Sequence, residues 1–393
     1  MNASTLPKQT NNNYQPKNNY RVVIVHPSAG ENWSGGTENF AIELTNRLSP
    51  YFDVELLAGA PCSPYYYPSG GISRVQARQL IKNPLISSFL KRFSTHPHMA
   101  IEHATNFFPC AWHLLRKPAD LVFPCNDYGG LAMAAFVRKF KGTPVLFKSH
   151  NGLLGEGKPL ARAIKFKPDH LVVFSQAMAN FARQVRPDQS MSLIPNGVDL
   201  DKFKPEGKAI DLGLPKPLVL CVASLNCRDH KRVDLIIQAM TKLPEVSLLI
   251  GGDGPDREYY QAMGDRLLGS HRFAIHTFSF DQMPEVYCCA DLFTLPSIDE
   301  PFSNAYLQAL ASGLPVVTTN DEIRNYMVGD AGIMCNVTDP DIYAHAIAEV
   351  LKGGDWQQKA RKNSRRFSWD KVATRYRDLI LEMIAKSKRS LSN

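Results

Sequence analysis

In the stretch SIDEPFSNAYLQALASGLPVVTTN, residues 297–320, Glu300 precedes a Pro and a helical run that stops at Gly313. A helix entered there is predicted to place Pro301, Phe302, Ser303 and Asn304 in its first turn. Free backbone N–H groups at such a turn form a site for a diphosphate. A carboxylate beside it would repel phosphate, but it can accept hydrogen bonds from sugar hydroxyls next to the phosphate. Gln308 falls on the same helix face and could hold a ribose. His150, in SHNGLLGEG, closes an apolar run where a cleft is expected. Lys231 and Arg228, in ASLNCRDHKRVD, lie between an apolar run and a helical one, from which either could reach a bound phosphate. A solvated helix start is the competing reading. Gly35 and Gly36, in HPSAGENWSGGTENF, would let backbone N–H groups approach an anion at a helix starting near Thr37. The spacing differs from the G-x-G-x-x-G dinucleotide fingerprint, and a plain turn competes there too. Gly251, Gly252 and Gly254, in IGGDGPDREYY, could admit a base or ribose at a cleft rim, or serve an ordinary turn.

These residues need a frame to hold them. RVVIVH (21–26) is a short β-branched run suited to a strand buried on both faces, and a helical stripe of Phe40, Ala41, Leu44 and Leu48 follows it. VELLAG, DLVFPC, PVLFKSH and HLVVFS repeat the strand signal at intervals that leave room for helices. After the turn-rich PNGVDLDKFKPEG, a second series runs through LVLCVAS, VSLLIGG, FAIHTF, DLFTLP and PVVTTN. Strand–helix alternation of this kind predicts parallel sheets with helices on both faces. The expected architecture is α/β, with two doubly wound Rossmann-like domains facing across a cleft and ligands beyond the carboxyl ends of the strands. The first domain is placed at 20–200 and the second at 201–370, with a C-terminal helix at 371–393 packing back on the first. Residues 1–19, polar and Asn-rich, are read as a disordered leader.

The 393 residues suit two domains better than one core. The eight cysteines form no C-x-x-C pair and no zinc-like spacing, as expected of free thiols in a reducing cytoplasm. No apolar run reaches the roughly 18 residues that span a bilayer. Residues 1–200 hold 21 Lys/Arg against 12 Asp/Glu, whereas residues 201–393 hold 24 against 25. The basic excess therefore belongs to the first half and favours an anionic partner, with an ordinary soluble surface as the alternative. Zinc fingers, aromatic RNA-binding boxes and long basic tracts are missing from the sequence, which sets nucleic acid aside. The basic amphipathic segment 80–93, with Lys82, Lys91 and Arg92, suggests docking at an anionic membrane surface.

The 297–320 segment resembles the E-x7-E segment of family-4 glycosyltransferases with the GT-B fold. IPNGVDLDKFKP, GGDGP, SGGTE and the Lys231 segment also look like that family, in the right order, so the resemblance covers about residues 21–380. It implies a retaining transferase that uses a nucleotide-diphosphate sugar, without an obligatory metal or other cofactor. By resemblance, Glu300 holds the donor sugar's hydroxyls and His150 contacts that sugar near the reacting carbon. Backbone N–H groups of Phe302 to Ala305, with Lys231, neutralise the leaving diphosphate. Gly35 and Gly36 close over the diphosphate or acceptor, while Ser224, Gly252 and Phe278 belong to the donor side. Two positions depart from the family pattern. Gln308 stands where the motif has its second Glu, and Leu225 and Asn226 stand where the family carries an Arg, a role that Arg228 could fill. The expected donor is UDP-glucose, with GDP-mannose and UDP-N-acetylglucosamine as alternatives. The expected acceptor is a glycan or polyprenyl-linked glycan, met in the cytoplasm or at the inner membrane face. A nucleotide-sugar-binding regulator with little turnover is the reading of another class. A dinucleotide oxidoreductase is set aside, because its fingerprint and ribose-binding acid are missing.

Overall fold

The computed structural model describes residues 18–30, 35–91, 97–125, 128–226, 230–298 and 300–392. In the first half, β1 (Arg21–His26) lies between β2 (Asp53–Ala58) and β4 (Leu121–Pro124), and β3 (Tyr66–Pro68) extends the sheet beyond β2. A bridge from Val122 to Val145 carries the order on to β5 (Leu146–Lys148), β6 (His170–Val173) and β7 (Met191–Leu193). The second half holds one six-stranded sheet. Its strands β8 (Leu218–Val222), β9 (Ser247–Gly251), β10 (Phe273–His276), β11 (Leu292–Leu295), β12 (Val316–Thr319) and β13 (Gly332–Cys335) run in the order β10-β9-β8-β11-β12-β13. All these pairings are parallel. The α/β architecture expected from the sequence is therefore the one observed.

The residues of β1 show why the sheet forms. Every side chain from Arg21 to His26 is buried. Val22 and Ile24 pack into a core with Phe40, Leu44 and Phe52, whereas Val23 and Val25 join Leu131, Val137 and Phe147 on the opposite face. A period of two with both faces covered by helices requires this β-branched run. The helix Trp369–Ser392 closes the first of these cores with Trp369, Val372, Tyr376, Ile380 and Ile384. The chain thus passes between the halves twice. The two passages pair where Val198 N donates to Phe367 O (2.8 Å) and Trp369 N donates to Val198 O (3.1 Å).

In each half the strand order reverses beside the first strand, between β1 and β4 and again between β8 and β11. Connections leave in opposite directions at such a point and open a crevice at the carboxyl strand ends. The loop after β1 ends at Gly35, the N-cap of the helix Gly36–Leu48, and the loops after β5, β8 and β11 carry His150, Ser224 and Glu300 respectively. Three strands escaped the sequence reading: β3, β7 and β13, each three or four residues long and none fully buried.

Candidate active site

A cleft of about 830 Å3 lies between the halves. Its walls include Gly35, Gly36, His150, Ser224, Lys231 and Gly252, together with Phe278, Pro301 to Ala305, Glu300 and Gln308. The candidate residues named from the sequence are therefore in one place, with two exceptions: Gly254 is not in the cleft wall, and Arg228 lies outside the described residues.

The expected helix start needs correction. The helix runs Asn304–Ala311 with Ser303 as its N-cap, so Pro301 to Ser303 form the approach and not the first turn. Phe302 explains the shift: it is buried, and its ring stacks on Phe174 with centroids 4.9 Å apart. That contact holds the backbone out of the helical region for two residues beyond Pro301. The Ser303 side chain makes no capping hydrogen bond. The helix therefore presents its first N–H groups and the positive end of its dipole to the cleft.

Glu300, only 8% exposed, stands before this terminus. Its Oε2 accepts from Lys231 Nζ and lies 3.2 Å from His230 Nε2. Burial alone would raise the carboxyl, but the His230 hydrogen bond and the Lys231 charge together hold it down at about 2. The same Lys231 expected at a diphosphate is thus paired with the carboxylate expected at a sugar. Arg324 fixes the loop from behind. Fully buried, it donates through Nη1 to Glu300 O (3.1 Å) and through Nη2 to Ser297 O (2.8 Å). Gln308 accepts from Tyr287 Oη at 3.1 Å, which turns its amide group and leaves both N–H bonds for a ligand.

On the opposite wall, His150 packs edge-on against Phe40 and Phe174, at centroid distances of 5.0 and 6.0 Å. Its Nε2 is shut from solvent and lacks a hydrogen-bond partner in the structure. Burial and the nearby Lys148 charge hold it well below the ordinary histidine range, so the ring is neutral near pH 7. Lys148, unnoticed in the sequence, is wholly buried beneath it. Its Nζ donates to Ile194 O and Pro195 O at 3.3 and 3.2 Å and lies over Phe40 and Phe174 at 4.4 and 4.6 Å. Burial pulls Lys148 far below the usual lysine range.

The halves touch beside the helix terminus. Asn196 Nδ2 donates to Asn304 Oδ1 at 2.9 Å, and a Cβ on Gly36 would stand 3.4 Å from Asn304 Nδ2. Gly252 has a different reason to be glycine: a Cβ there would strike Ala223 O at 1.9 Å. Its place in the cleft thus reflects backbone crowding between two loops.

Sequence reasoning missed a polar cluster on the first half's wall. Arg74 bridges Glu102 (Nε to Oε2, 2.8 Å) and Glu38 (Nη1 to Oε1, 3.2 Å); Ser28 donates to Glu102, and Thr37 to Glu38 (2.9 Å). Glu38 belongs to the SGGTE stretch and was the legible member. Arg74 and Glu102 come from separate helices and carry no local signal. Among the described residues, no group of three or more His, Cys, Asp or Glu could hold a metal ion.

Comparisons with known proteins bear on the family and the fold. Residues 34–202 match the family described as Glycosyltransferase Family 4, and residues 216–353 match Glycosyl transferases group 1. Sulfoquinovosyl transferase SQD2 of Arabidopsis thaliana is 27% identical over 46% of this chain and 38% of its own length. The GDP-mannose-dependent alpha-(1-6)-phosphatidylinositol monomannoside mannosyltransferase of Mycolicibacterium smegmatis is 29% identical over 44% of this chain and 50% of its own. The chain therefore spans half or less of these two curated relatives. Among solved structures, sucrose-phosphate synthase from Thermosynechococcus elongatus superposes with a TM-score of 0.76 at 18% identity, covering 93% of this chain and all of that one. Anabaena HepE in complex with UDP-glucose gives 0.63 at 17% identity, covering 95% of this chain and 99% of that one. At such identities the likeness concerns the fold.

Proposed function

This chain belongs to the family-4 glycosyltransferases, glycosyl transferases group 1, and has their GT-B fold, and from that premise we propose that it transfers a hexose, with retention, from a UDP-sugar to a hydroxyl of a glycan or lipid-linked glycan. The observation that carries the reading is the open N-terminus of the helix Asn304–Ala311, set beside the Lys231–Glu300 pair at the strand-order reversal of the second half. The diphosphate lies at that terminus and Lys231 turns to it. Glu300, released, accepts hydrogen bonds from the sugar hydroxyls, and neutral His150 faces the sugar near its reacting carbon. Gln308 meets the ribose through its amide N–H bonds. An acceptor oxygen then attacks the anomeric carbon on the face the diphosphate leaves. The carbon–phosphate-oxygen bond breaks, the acceptor proton passes to the departing phosphate oxygen, and the nucleoside diphosphate carries the charge away. The helix terminus and Lys231 supply the positive charge for that step, with no obligatory metal in the proposal. UDP-glucose is the donor we favour, since a similarly folded structure holds it. A relative's GDP-mannose makes a GDP-sugar the second choice. The site of action in this reading is the cytoplasm, where such donors are made.

A donor panel scored by released nucleotide tests the proposal. Glu300→Gln should lower turnover by about 100-fold or more while UDP binds as well or better, because Lys231 is freed. Lys231→Ala should weaken UDP binding on the order of tenfold. Donor binding with no turnover on any glycan acceptor would favour a regulatory nucleotide-sugar binder. Equal effects of the two changes on UDP and on UDP-sugar binding would overturn the assigned roles.

A further inference from the structure

The helices Pro97–Arg116 and Tyr128–Lys141 pack together on the flank of the first half and leave a row of aromatic rings outside. Phe108, Trp112 and Phe140 are 75%, 59% and 65% exposed. The row is continuous: Phe108 touches Phe107, which touches Phe136, which touches Phe140, at centroid distances of 5.0 to 5.6 Å. Trp112 stands one turn beyond Phe108, with the Arg116 guanidinium 4.3 Å over its ring. Lys117, Lys139 and Lys141 are exposed at the ends of the same helices. Carboxylates are scarce around them. Across residues 97–141 the sequence has Glu102, Asp120 and Asp127 only. Glu102 is buried under Arg74, Asp120 lies 3.4 Å from Lys388, and Asp127 is outside the described residues. Arg138 is occupied by Asp169 at 2.9 Å.

We propose that this aromatic ridge is a docking surface for a lipid bilayer with anionic headgroups. A protein face that took the rings would also need carboxylates placed to meet four cations. A fluid anionic bilayer meets both needs without a fixed counterpart. Rings enter the acyl boundary, and Lys and Arg stems extend their charges to the phosphates. Its location also joins it to the cleft. The helix Pro84–Lys91, whose Leu85 is 80% exposed, packs on the 97–116 helix. It directly follows the helix Arg74–Leu80, whose Arg74, Val75 and Arg78 line the cleft. The docked flank thus leads to the mouth through which an acceptor in the membrane would enter. The basic segment 80–93 expected from the sequence becomes the edge of the surface; the Lys91 side chain and Arg92 lie outside the described residues. Among the described residues no helix is long and apolar enough to cross a membrane, so contact would be peripheral.

The test is co-sedimentation of the full chain with phosphatidylcholine vesicles, with and without phosphatidylglycerol, at low and high salt. It needs no donor and no turnover, so its outcome is separate from that of the transferase reading. Binding should require the anionic lipid and fade with salt. Phe108→Ser with Phe140→Ser should lower it on the order of 100-fold while the unfolding temperature stays unchanged, because both rings are exposed. Trp112 is one of four tryptophans, and vesicles should shift the emission to the blue; Trp112→Phe should abolish that shift and keep the binding. No binding to anionic vesicles at low salt would overturn the proposal. So would binding that survives the serine changes but is lost on neutralising Lys82, Lys91 and Arg92. Serine changes that convert a dimer to a monomer, with no effect on vesicles, would make the ridge an interface between copies and overturn it as well.

Discussion

At the scale of residues, the site turns on a shared cation. Glu300 sits below its ordinary value of 4.5, at about 2, so the fold gains stability from its ionised form. That gain is complete above pH 4.5 and is lost as pH falls toward 2, because the unfolded chain then binds the proton first. Lys231→Met removes the main charge partner and leaves a buried carboxylate with His230 alone. We expect this variant to be about 3 kcal/mol less stable at pH 7 by urea unfolding, as when one member of a buried pair is lost. The gap to wild type should narrow between pH 4.5 and 2; a gap that stays constant would show that the pair adds nothing to the fold. Glu300, Lys231 and His150 were legible because each follows a strand signal, where the crevice of a wound sheet opens. Lys148 was not, because a lysine in PVLFKSH looks like a strand end meeting solvent. Only the fold shows three rings and two carbonyls around it.

At the scale of elements, the sequence located the long buried strands and misjudged the helix start by three residues. Pro at a first helical position is a common pattern, and EPFSN fits it. The Phe174–Phe302 stack overrides that preference, and no local pattern announces a partner so distant in sequence. The same region couples the halves. Gly152 has a φ of +59°, and a Cβ added to it would stand 2.6 Å from Pro301 Cβ across the cleft. Gly152→Ala should therefore strain the loop by roughly 1–2 kcal/mol and wedge the halves apart. A lower unfolding temperature, a larger radius of gyration in solution scattering and a raised donor KM are expected together. An unchanged radius and KM would mean that this contact has no part in closing the cleft.

At the scale of the whole molecule, the alternation of strands and helices predicted two wound sheets, and two wound sheets are found. The partition of cores was less legible, since amphipathic periodicity says that a helix buries one face but not against what. Ending the chain at Ser368 would remove Tyr376, Ile380 and Ile384, all fully buried against β1, β2 and Phe40. At about 2 kcal/mol or more for each large apolar side chain, that loss rivals the net stability of a typical domain. The shortened protein should be insoluble or molten, with the peptide 369–392 restoring it in trans; a soluble product with an unchanged unfolding transition would contradict this. The paired passages at Val198 and Phe367 also bear on how the protein is made. Translation delivers the helix that covers β1 about 340 residues after β1 itself, roughly tens of seconds later at ordinary elongation rates. The first half, with its strands already outside the ribosome, must wait with one sheet face bare, while the later half can finish its own sheet. Chaperones that shield nascent chains should therefore be held longer by the β1 sheet than by the sheet of the second half.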